Sequence, residues 1–176
     1  MLNPTRIAIL LFLLASCVGY ADNAAHDSIR VVIKTKQGKA KVDLLNELSL
    51  GYCYNEPSFA KQLIFECIKV ADDEKYGEGC GKAYIRLGIA YDVTGQYDSA
   101  VYCYKYALTK YTSPKGLGSA YNNLGLIEWK HAKLKDASDY LYKALPYFQQ
   151  LDDKNYLANL YNNLGRIFYD TKDLKK

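Results

Sequence analysis

The chain has 176 residues, of which 49% are hydrophobic and 24% are charged, with 12 glycines and only 4 prolines. This composition excludes collagen-like, proline-rich and disordered proteins. The two histidines, His26 and His131, exclude a zinc site built on several histidines. The net charge of +4 is spread along the chain. We expect no nucleic-acid partner, because nucleic-acid-binding proteins gather their basic residues into a stripe.

The amino-terminal segment has the features of an export signal. Arg6 is followed by an apolar run from Ile7 to Leu14. Even when it is extended to Val18, this run gives only about 18 Å of helix, whereas the core of a bilayer is about 30 Å thick. The run is too short to span a membrane but suits the hydrophobic region of a signal peptide. We predict a lipoprotein-type signal peptide over residues 1–16.

Two processing sites compete in this segment. The sequence Leu14-Ala15-Ser16-Cys17 resembles the bacterial lipobox, and Gly19-Tyr20-Ala21 fits the pattern of ordinary signal peptidase. The lipobox predicts lipidation of Cys17 and a lipoprotein held stably at the membrane by two or three acyl chains. Ordinary cleavage predicts a soluble periplasmic protein, and a retained membrane anchor is the third alternative. The expected location is therefore outside the cytoplasm, at the membrane or in the periplasm.

Residues 17–40 are predicted to form a linker and a short capping helix. The linker covers Ala21 to Ala25, and the helix is expected to begin near Asp27 and end near Gly38. Its apolar residues recur at helical spacing, at Ile29, Val32 and Ile33. We expect this helix to cover the exposed face of the unit that follows.

Four further cysteines follow Cys17: Cys53, Cys67, Cys80 and Cys103. In an exported protein these could form disulfides, and the sequence does not choose among the three possible pairings. Cys67 and Cys103 fall where small residues pack inside the predicted helices. This placement favours buried free thiols over a disulfide framework.

An internal repeat organises the remainder of the chain. Four Leu-Gly dipeptides are separated by 37, 37 and 40 residues, and they are Leu50-Gly51, Leu87-Gly88, Leu124-Gly125 and Leu164-Gly165. After the first three, a small, a bulky and a small residue follow at spacings of four and three: Ala60-Ile64-Cys67, Ala100-Tyr104-Ala107 and Ala137-Leu141-Ala144. Such spacings put the residues on one stripe of a helix. The repeat therefore predicts helical hairpins.

This pattern resembles the tetratricopeptide repeat (TPR). The TPR signature is an aromatic residue, Leu-Gly and a tyrosine in the first helix, then alanine, an aromatic residue and alanine in the second. The second copy carries all of it, at Tyr84, Leu87, Gly88, Tyr91, Ala100, Tyr104 and Ala107. The third copy departs at Glu128 and Leu141. The resemblance implies an all-α fold, an α-solenoid of TPR hairpins.

The array is expected to contain three and a half repeats over residues 41–176. The predicted copies cover residues 41–75, 81–113, 118–151 and, in part, 158–176. Twelve residues after Gly165 would be residue 177, so the fourth copy has a first helix without a second. We favour a fragment of a longer protein, with a terminal cap or self-association through the uncovered helix as the alternatives.

Other motifs carry little chemistry. The run Gly77-x-Gly79-x-Gly81-Lys82 lacks the spacing and the hydroxyl residue of a phosphate-binding loop, and we interpret it as a loop between helices. The acidic pairs, such as Asp152-Asp153, lack a complete calcium-binding loop. We predict no catalytic residues, no metal site and no cofactor.

The remaining candidate site is the concave groove that TPR proteins line with their first helices. Carried over by position, the resemblance places in this groove Lys82, Ile85, Ile89, Asp92, Ser119, Asn122, Leu126, Trp129, Asn159, Asn162, Arg166 and Tyr169. Trp129 and Tyr169 are suited to be anchors. The expected function is a non-enzymatic scaffold that binds a peptide or a partner protein at the cell envelope. The alternative is the periplasmic input region of a signalling protein, such as a histidine kinase or a transcriptional regulator.

Overall fold

The computed structural model describes residues 22–173, and all regular structure in this range is helical. The eight helices are α1 (Asp22–Lys34), α2 (Gly38–Tyr52), α3 (Pro57–Asp73), α4 (Gly77–Val93), α5 (Tyr97–Lys110), α6 (Pro114–Lys130), α7 (Leu134–Phe148) and α8 (Lys154–Asp173). None of them is both long and apolar enough to cross a bilayer. The predicted signal peptide and Cys17 lie outside the described residues, and the export of the chain stays a prediction.

Helices α2 to α7 form three hairpins, α2–α3, α4–α5 and α6–α7, and α8 is the first helix of a fourth. Each second helix packs against the first helix of its own hairpin and against the first helix of the next. The first helices also contact one another in order, from α2 to α8, whereas α3, α5 and α7 do not meet within residues 22–173. The row therefore curves with its first helices on the inner, concave side.

Glycines permit the close crossing of the helices within two hairpins. A Cβ atom on Gly88 would lie 2.3 Å from Cε1 of Tyr104, and one on Gly125 would lie 2.7 Å from Cδ2 of Leu141. Ala100 and Ala137, one turn before these bulky side chains, are fully buried. The predicted combination of glycine, alanine and one bulky side chain is thus confirmed in the second and third hairpins.

The first hairpin is in a different register from the one its Leu-Gly dipeptide indicates. Leu50 is 37% exposed, and a Cβ on Gly51 would meet no atom within 4 Å. The buried stripe of α2 instead matches those of the other first helices when Ser49 takes the place of Leu87. The corresponding stripes are Val42-Leu45-Ser49-Tyr52, Cys80-Ala83-Leu87-Ala90, Leu117-Ala120-Leu124-Ile127 and Leu157-Leu160-Leu164-Ile167. The prediction for the first copy was wrong by one residue because packing follows the helical stripe.

The glycine-rich run before the second copy belongs to a helix. Gly77, Gly79 and Gly81 lie in the first two turns of α4, so the loop interpretation was wrong. Gly116 likewise lies inside α6. These glycines leave room for aromatic rings: a Cβ on Gly81 would lie 3.0 Å from Tyr111, and one on Gly116 would lie 2.1 Å from it. The hairpins therefore begin three or four residues earlier than predicted.

Helix α1 packs against the first hairpin through Ile29 and Ile33, which join its apolar core. The His26 ring stacks on Phe59 with 3.6 Å between ring centroids, and its Nε2 lies 2.8 Å from Oε2 of Glu56. The helix begins at Asp22, so most of the segment predicted as a linker is helical.

The four described cysteines, Cys53, Cys67, Cys80 and Cys103, are buried free thiols. Burial raises the pKa of each thiol, to about 11 for Cys53 and Cys80 and to about 12 for Cys67 and Cys103. The thiolate is the nucleophilic form of cysteine. These side chains are therefore buried, protonated thiols at neutral pH rather than nucleophiles.

Candidate functional site

A cleft of about 550 Å³ lies between α4 and α6. The two helices supply most of its walls, the turns before them supply its end, and α8 contributes one tyrosine. It is lined by Tyr76, Glu78, Lys82, Ile85, Arg86, Ile89, Tyr111, Ser113, Lys115, Gly116, Ser119, Asn123 and Tyr156. It lies on the inner side of the helical row.

Only some of the predicted groove residues line this cleft. Four of them line the cleft: Lys82, Ile85, Ile89 and Ser119. Asp92 forms an ion pair with Lys130, and Asn122 accepts a 3.1 Å hydrogen bond from Asn163. Leu126 is half-buried and lines neither this cleft nor the second depression described below.

Arg86 is the cleft residue of greatest chemical interest, and the sequence prediction missed it. Its Nε is buried and has no hydrogen-bond partner. Within residues 22–173, no carboxylate forms an ion pair with its guanidinium. Burial lowers the pKa of Arg86, but a guanidinium stays protonated at neutral pH. The cleft thus holds a half-buried positive charge without a carboxylate counter-ion among the described residues, which is an unfavourable arrangement.

The cleft also contains side chains that can donate or accept hydrogen bonds. Burial raises the pKa of Tyr111, while the neighbouring Arg86 acts to lower it, and the net direction keeps the phenol neutral and able to donate. Lys82 and Lys115 are exposed at the rim and add positive charge. Asn123 donates through Nδ2 to the backbone oxygen of Ser119, which leaves its side-chain oxygen for other contacts. The cleft combines a half-buried cation, two exposed cations at its rim and neutral polar groups.

Glu78, the carboxylate of the cleft, is committed to the fold. Its Oε1 accepts hydrogen bonds from the backbone amides of Thr112 and Ser113, each at 2.8 Å, and from the Thr112 hydroxyl at 3.0 Å. Its Oε2 accepts from the Ser113 hydroxyl at 2.8 Å. Ser113 in turn caps the start of α6 by accepting from the amide of Gly116. Glu78 therefore fixes the junction between α5 and α6, and these bonds occupy both of its oxygens.

Replacing Glu78 with glutamine is expected to reduce stability by about 1 kcal/mol at pH 7, because the neutral amide cannot accept at both former oxygen positions. Burial acts to raise the pKa of Glu78, but the hydrogen bonds from Thr112 and Ser113 outweigh it and the net pKa is lowered. Its contribution is present above the unfolded-state pKa, near 4.5, and is lost as the pH falls through the folded-state value.

Urea unfolding of the wild type and of Glu78→Gln at pH 7 and pH 3 measures this effect. We expect the difference between the two proteins to shrink at the lower pH. Glu47→Gln is the matched control, because Glu47 is exposed on α2. A stability difference for Glu78→Gln that is equal at both pH values would contradict the assignment.

A second depression, of about 490 Å³, runs along α8 and contains four of the predicted groove residues, namely Trp129, Asn162, Arg166 and Tyr169. The Arg166 guanidinium stacks over the Trp129 ring at 4.1 Å from the ring centroid. The indole N–H donates to Asp170 at 2.6 Å. Trp129 is therefore engaged in the contact between α6 and α8, while Tyr169 is 68% exposed.

The last predicted groove residue, Asn159, is exposed and lines neither depression. Residues 22–173 contain no cluster of three or more His, Cys, Asp or Glu side chains that could hold a metal ion.

Comparison with solved structures identifies the architecture. One similar structure is BtubC (BKLC) from P. vanneervenii, which aligns with a TM-score of 0.69 and 18% identity over 98% of this chain and 76% of that one. The fold is that of a TPR-like repeat protein. A kinesin light chain from Podosopora anserina with nearly identical TPR-like repeats aligns with a TM-score of 0.62 and 16% identity, covering 98% of this chain and 90% of that one. No protein-family model matches the sequence, and no curated protein matches it.

Proposed function

We propose that the chain is a non-enzymatic scaffold whose α4–α6 cleft binds a short anionic segment of a partner protein. The single observation that carries the proposal is Arg86, a half-buried arginine that lines the cleft, has a buried Nε without a hydrogen-bond partner and forms no ion pair with a carboxylate of the described residues. A carboxylate of the partner would supply the missing counter-charge and could accept two hydrogen bonds from the guanidinium fork.

The surroundings of Arg86 favour a peptide carboxylate. Ile85 and Ile89 give the α4 wall apolar surface, and the polar groups of Tyr111, Ser119 and Asn123 can pair with a peptide backbone. A cleft of about 550 Å³ holds a few side chains. We therefore expect recognition of a short acidic sequence in which one carboxylate reaches Arg86 and apolar neighbours cover the isoleucines.

The predicted export signal sets the proposed location. If Cys17 is lipidated, the scaffold acts from the membrane surface, and after ordinary cleavage it acts in the periplasm. Labelling cells with radioactive palmitate distinguishes these two locations. Label in the wild-type protein but not in Cys17→Ser indicates lipidation and the membrane surface, and no label in either indicates ordinary cleavage.

Selection from a random peptide display library tests the proposed recognition. Peptides bound by the wild type are expected to be enriched in aspartate and glutamate. Replacing Arg86 with methionine, which keeps an unbranched side chain but removes the guanidinium and its charge, should weaken the binding of selected peptides at least tenfold, or about 1.4 kcal/mol. Fluorescence anisotropy measures the dissociation constants, and added salt should weaken binding to the wild type.

Arg30→Met is the matched control, because Arg30 is an exposed arginine on α1 and lies outside the cleft. It should leave the dissociation constants unchanged. Selected peptides without acidic residues, or equal affinity for the wild type and Arg86→Met, would show that the proposal is wrong. Circular dichroism and urea unfolding establish that each variant is folded.

A further inference from the structure

Tyr111 is held in the cleft by contacts with a glycine on each wall. It follows α5 directly, is half-buried, and lines the cleft. A Cβ on Gly116 of α6 would overlap the ring at Cδ1, and one on Gly81 of α4 would lie 3.0 Å from Cε1 and 3.1 Å from Cζ. The ring therefore packs against the backbones of both helices, and a side chain at either glycine would displace it.

The next hairpin shows which part of Tyr111 this packing requires. Phe148 lies 37 residues after Tyr111, and Gly118 lies 37 residues after Gly81. A Cβ on Gly118 would lie 2.5 Å from Cε1 of Phe148, which is only 2% exposed. The same contact between a ring and a glycine thus forms in the third hairpin without a hydroxyl. The aromatic ring is sufficient for packing at this position, and the hydroxyl of Tyr111 is not needed for it.

The Tyr111 hydroxyl is also unused by the rest of the described chain. It takes part in no hydrogen bond between residues 22–173, and its oxygen is not enclosed, whereas Nε of Arg86 is. Burial raises the pKa of Tyr111, and the charge of Arg86 opposes this effect only in part. The cleft therefore contains a protonated phenol close to an arginine, and the phenol is free to donate a hydrogen bond.

We propose that the Tyr111 hydroxyl determines specificity in the cleft by donating a hydrogen bond to the same partner carboxylate that binds Arg86. This inference rests on the proposed function, and it assigns Tyr111 to the carboxylate rather than to the peptide backbone. An ionised carboxylate has about four lone-pair positions and accepts only, so it can pair with both groups at once. An amide of the same shape has one oxygen, and its NH₂ group would face a donor. The pair therefore selects an acid over its amide.

A double-mutant cycle tests the assignment. The proteins are the wild type and Tyr111→Phe. The probes are the tightest acidic peptide from the display selection and a variant in which its most important aspartate or glutamate is replaced by asparagine or glutamine. Fluorescence anisotropy should show that Tyr111→Phe weakens binding of the acidic peptide about tenfold, as expected for a lost hydrogen bond to a charged acceptor. Binding of the amide peptide should be nearly the same for both proteins.

Tyr102→Phe is the matched control, because Tyr102 is 62% exposed on α5 and lies outside the cleft. It should leave the affinity for both peptides unchanged. We expect Tyr111→Phe to fold normally, since Phe148 occupies the equivalent position of the next hairpin, and urea unfolding checks this. A purely structural role of Tyr111 would weaken the binding of both peptides equally, so the cycle separates the hydrogen bond from packing.

Equal affinity of the wild type and Tyr111→Phe for the acidic peptide would overturn the inference, as would an equal loss for both peptides. If Arg86→Met still weakens binding in that case, the proposed function stands and only the role of Tyr111 is refuted. If Arg86→Met has no effect, or if no acidic peptide is selected, the proposed function and this inference are both wrong.

Discussion

Replacing Leu141 with alanine is expected to lower the free energy of unfolding by about 2–5 kcal/mol. Leu141 is fully buried on α7 and rests on Gly125 of α6. Its truncation removes apolar contacts and leaves a cavity beside a residue that has no side chain with which to fill it.

Urea unfolding followed by circular dichroism measures the loss. Tyr142→Ala is the matched control: Tyr142 is the next residue on the same helix and is 50% exposed, so its truncation should change stability by less than about 0.5 kcal/mol. If Leu141→Ala cost less than 1 kcal/mol, the contact between α6 and α7 would not be the tight crossing described above.

The hairpin positions could be predicted because the contacts that define them are local. Gly88 and Tyr104 are 16 residues apart, and the turn between them is short, so their spacing reflects the geometry of one hairpin. The same reasoning failed for the first copy. Ser49 and Asn46 replace the leucine and tyrosine of the other copies, and Asn46 instead donates a 2.9 Å hydrogen bond to the backbone oxygen of Gly79. The first copy was therefore aligned on Leu50-Gly51, which lies one residue after the true equivalent position, Ser49.

The cleft was predictable only in part, because its walls come from several parts of the chain. Lys82, Ile85 and Ile89 follow from one helical stripe of α4. Arg86 lies on the edge of that stripe, next to Ile85, and a wider stripe would have included it. Tyr111 and Tyr156 come from a turn and from α8, and only the stacking of hairpins brings them to the cleft. The partial burial of Arg86 likewise results from this stacking, and no local sequence pattern predicts it.

Gly88→Ala and Gly165→Ala are expected to change stability in opposite directions. At Gly88 the added methyl group would lie 2.3 Å from the ring of Tyr104, which is itself only 2% exposed and has little room to move. We expect a loss of about 1–3 kcal/mol from this overpacking. At Gly165 the methyl group meets no atom within 4 Å, and alanine is favoured over glycine within a helix by about 1 kcal/mol. Stability should therefore rise by up to that amount.

Comparing these two variants separates the effect of helix packing on stability from the effect of helix propensity. Both glycines occupy the same position in a Tyr-x-x-Leu-Gly sequence, and both lie within helices. If propensity governed both sites, each alanine would stabilise the protein, and thermal unfolding would show two increases in the midpoint. If neither glycine were in close contact, the two variants would be indistinguishable. In the structure, α5 covers Gly88, whereas no helix within residues 22–173 covers Gly165 on α8. This arrangement predicts that the unfolding midpoint falls for Gly88→Ala and rises for Gly165→Ala.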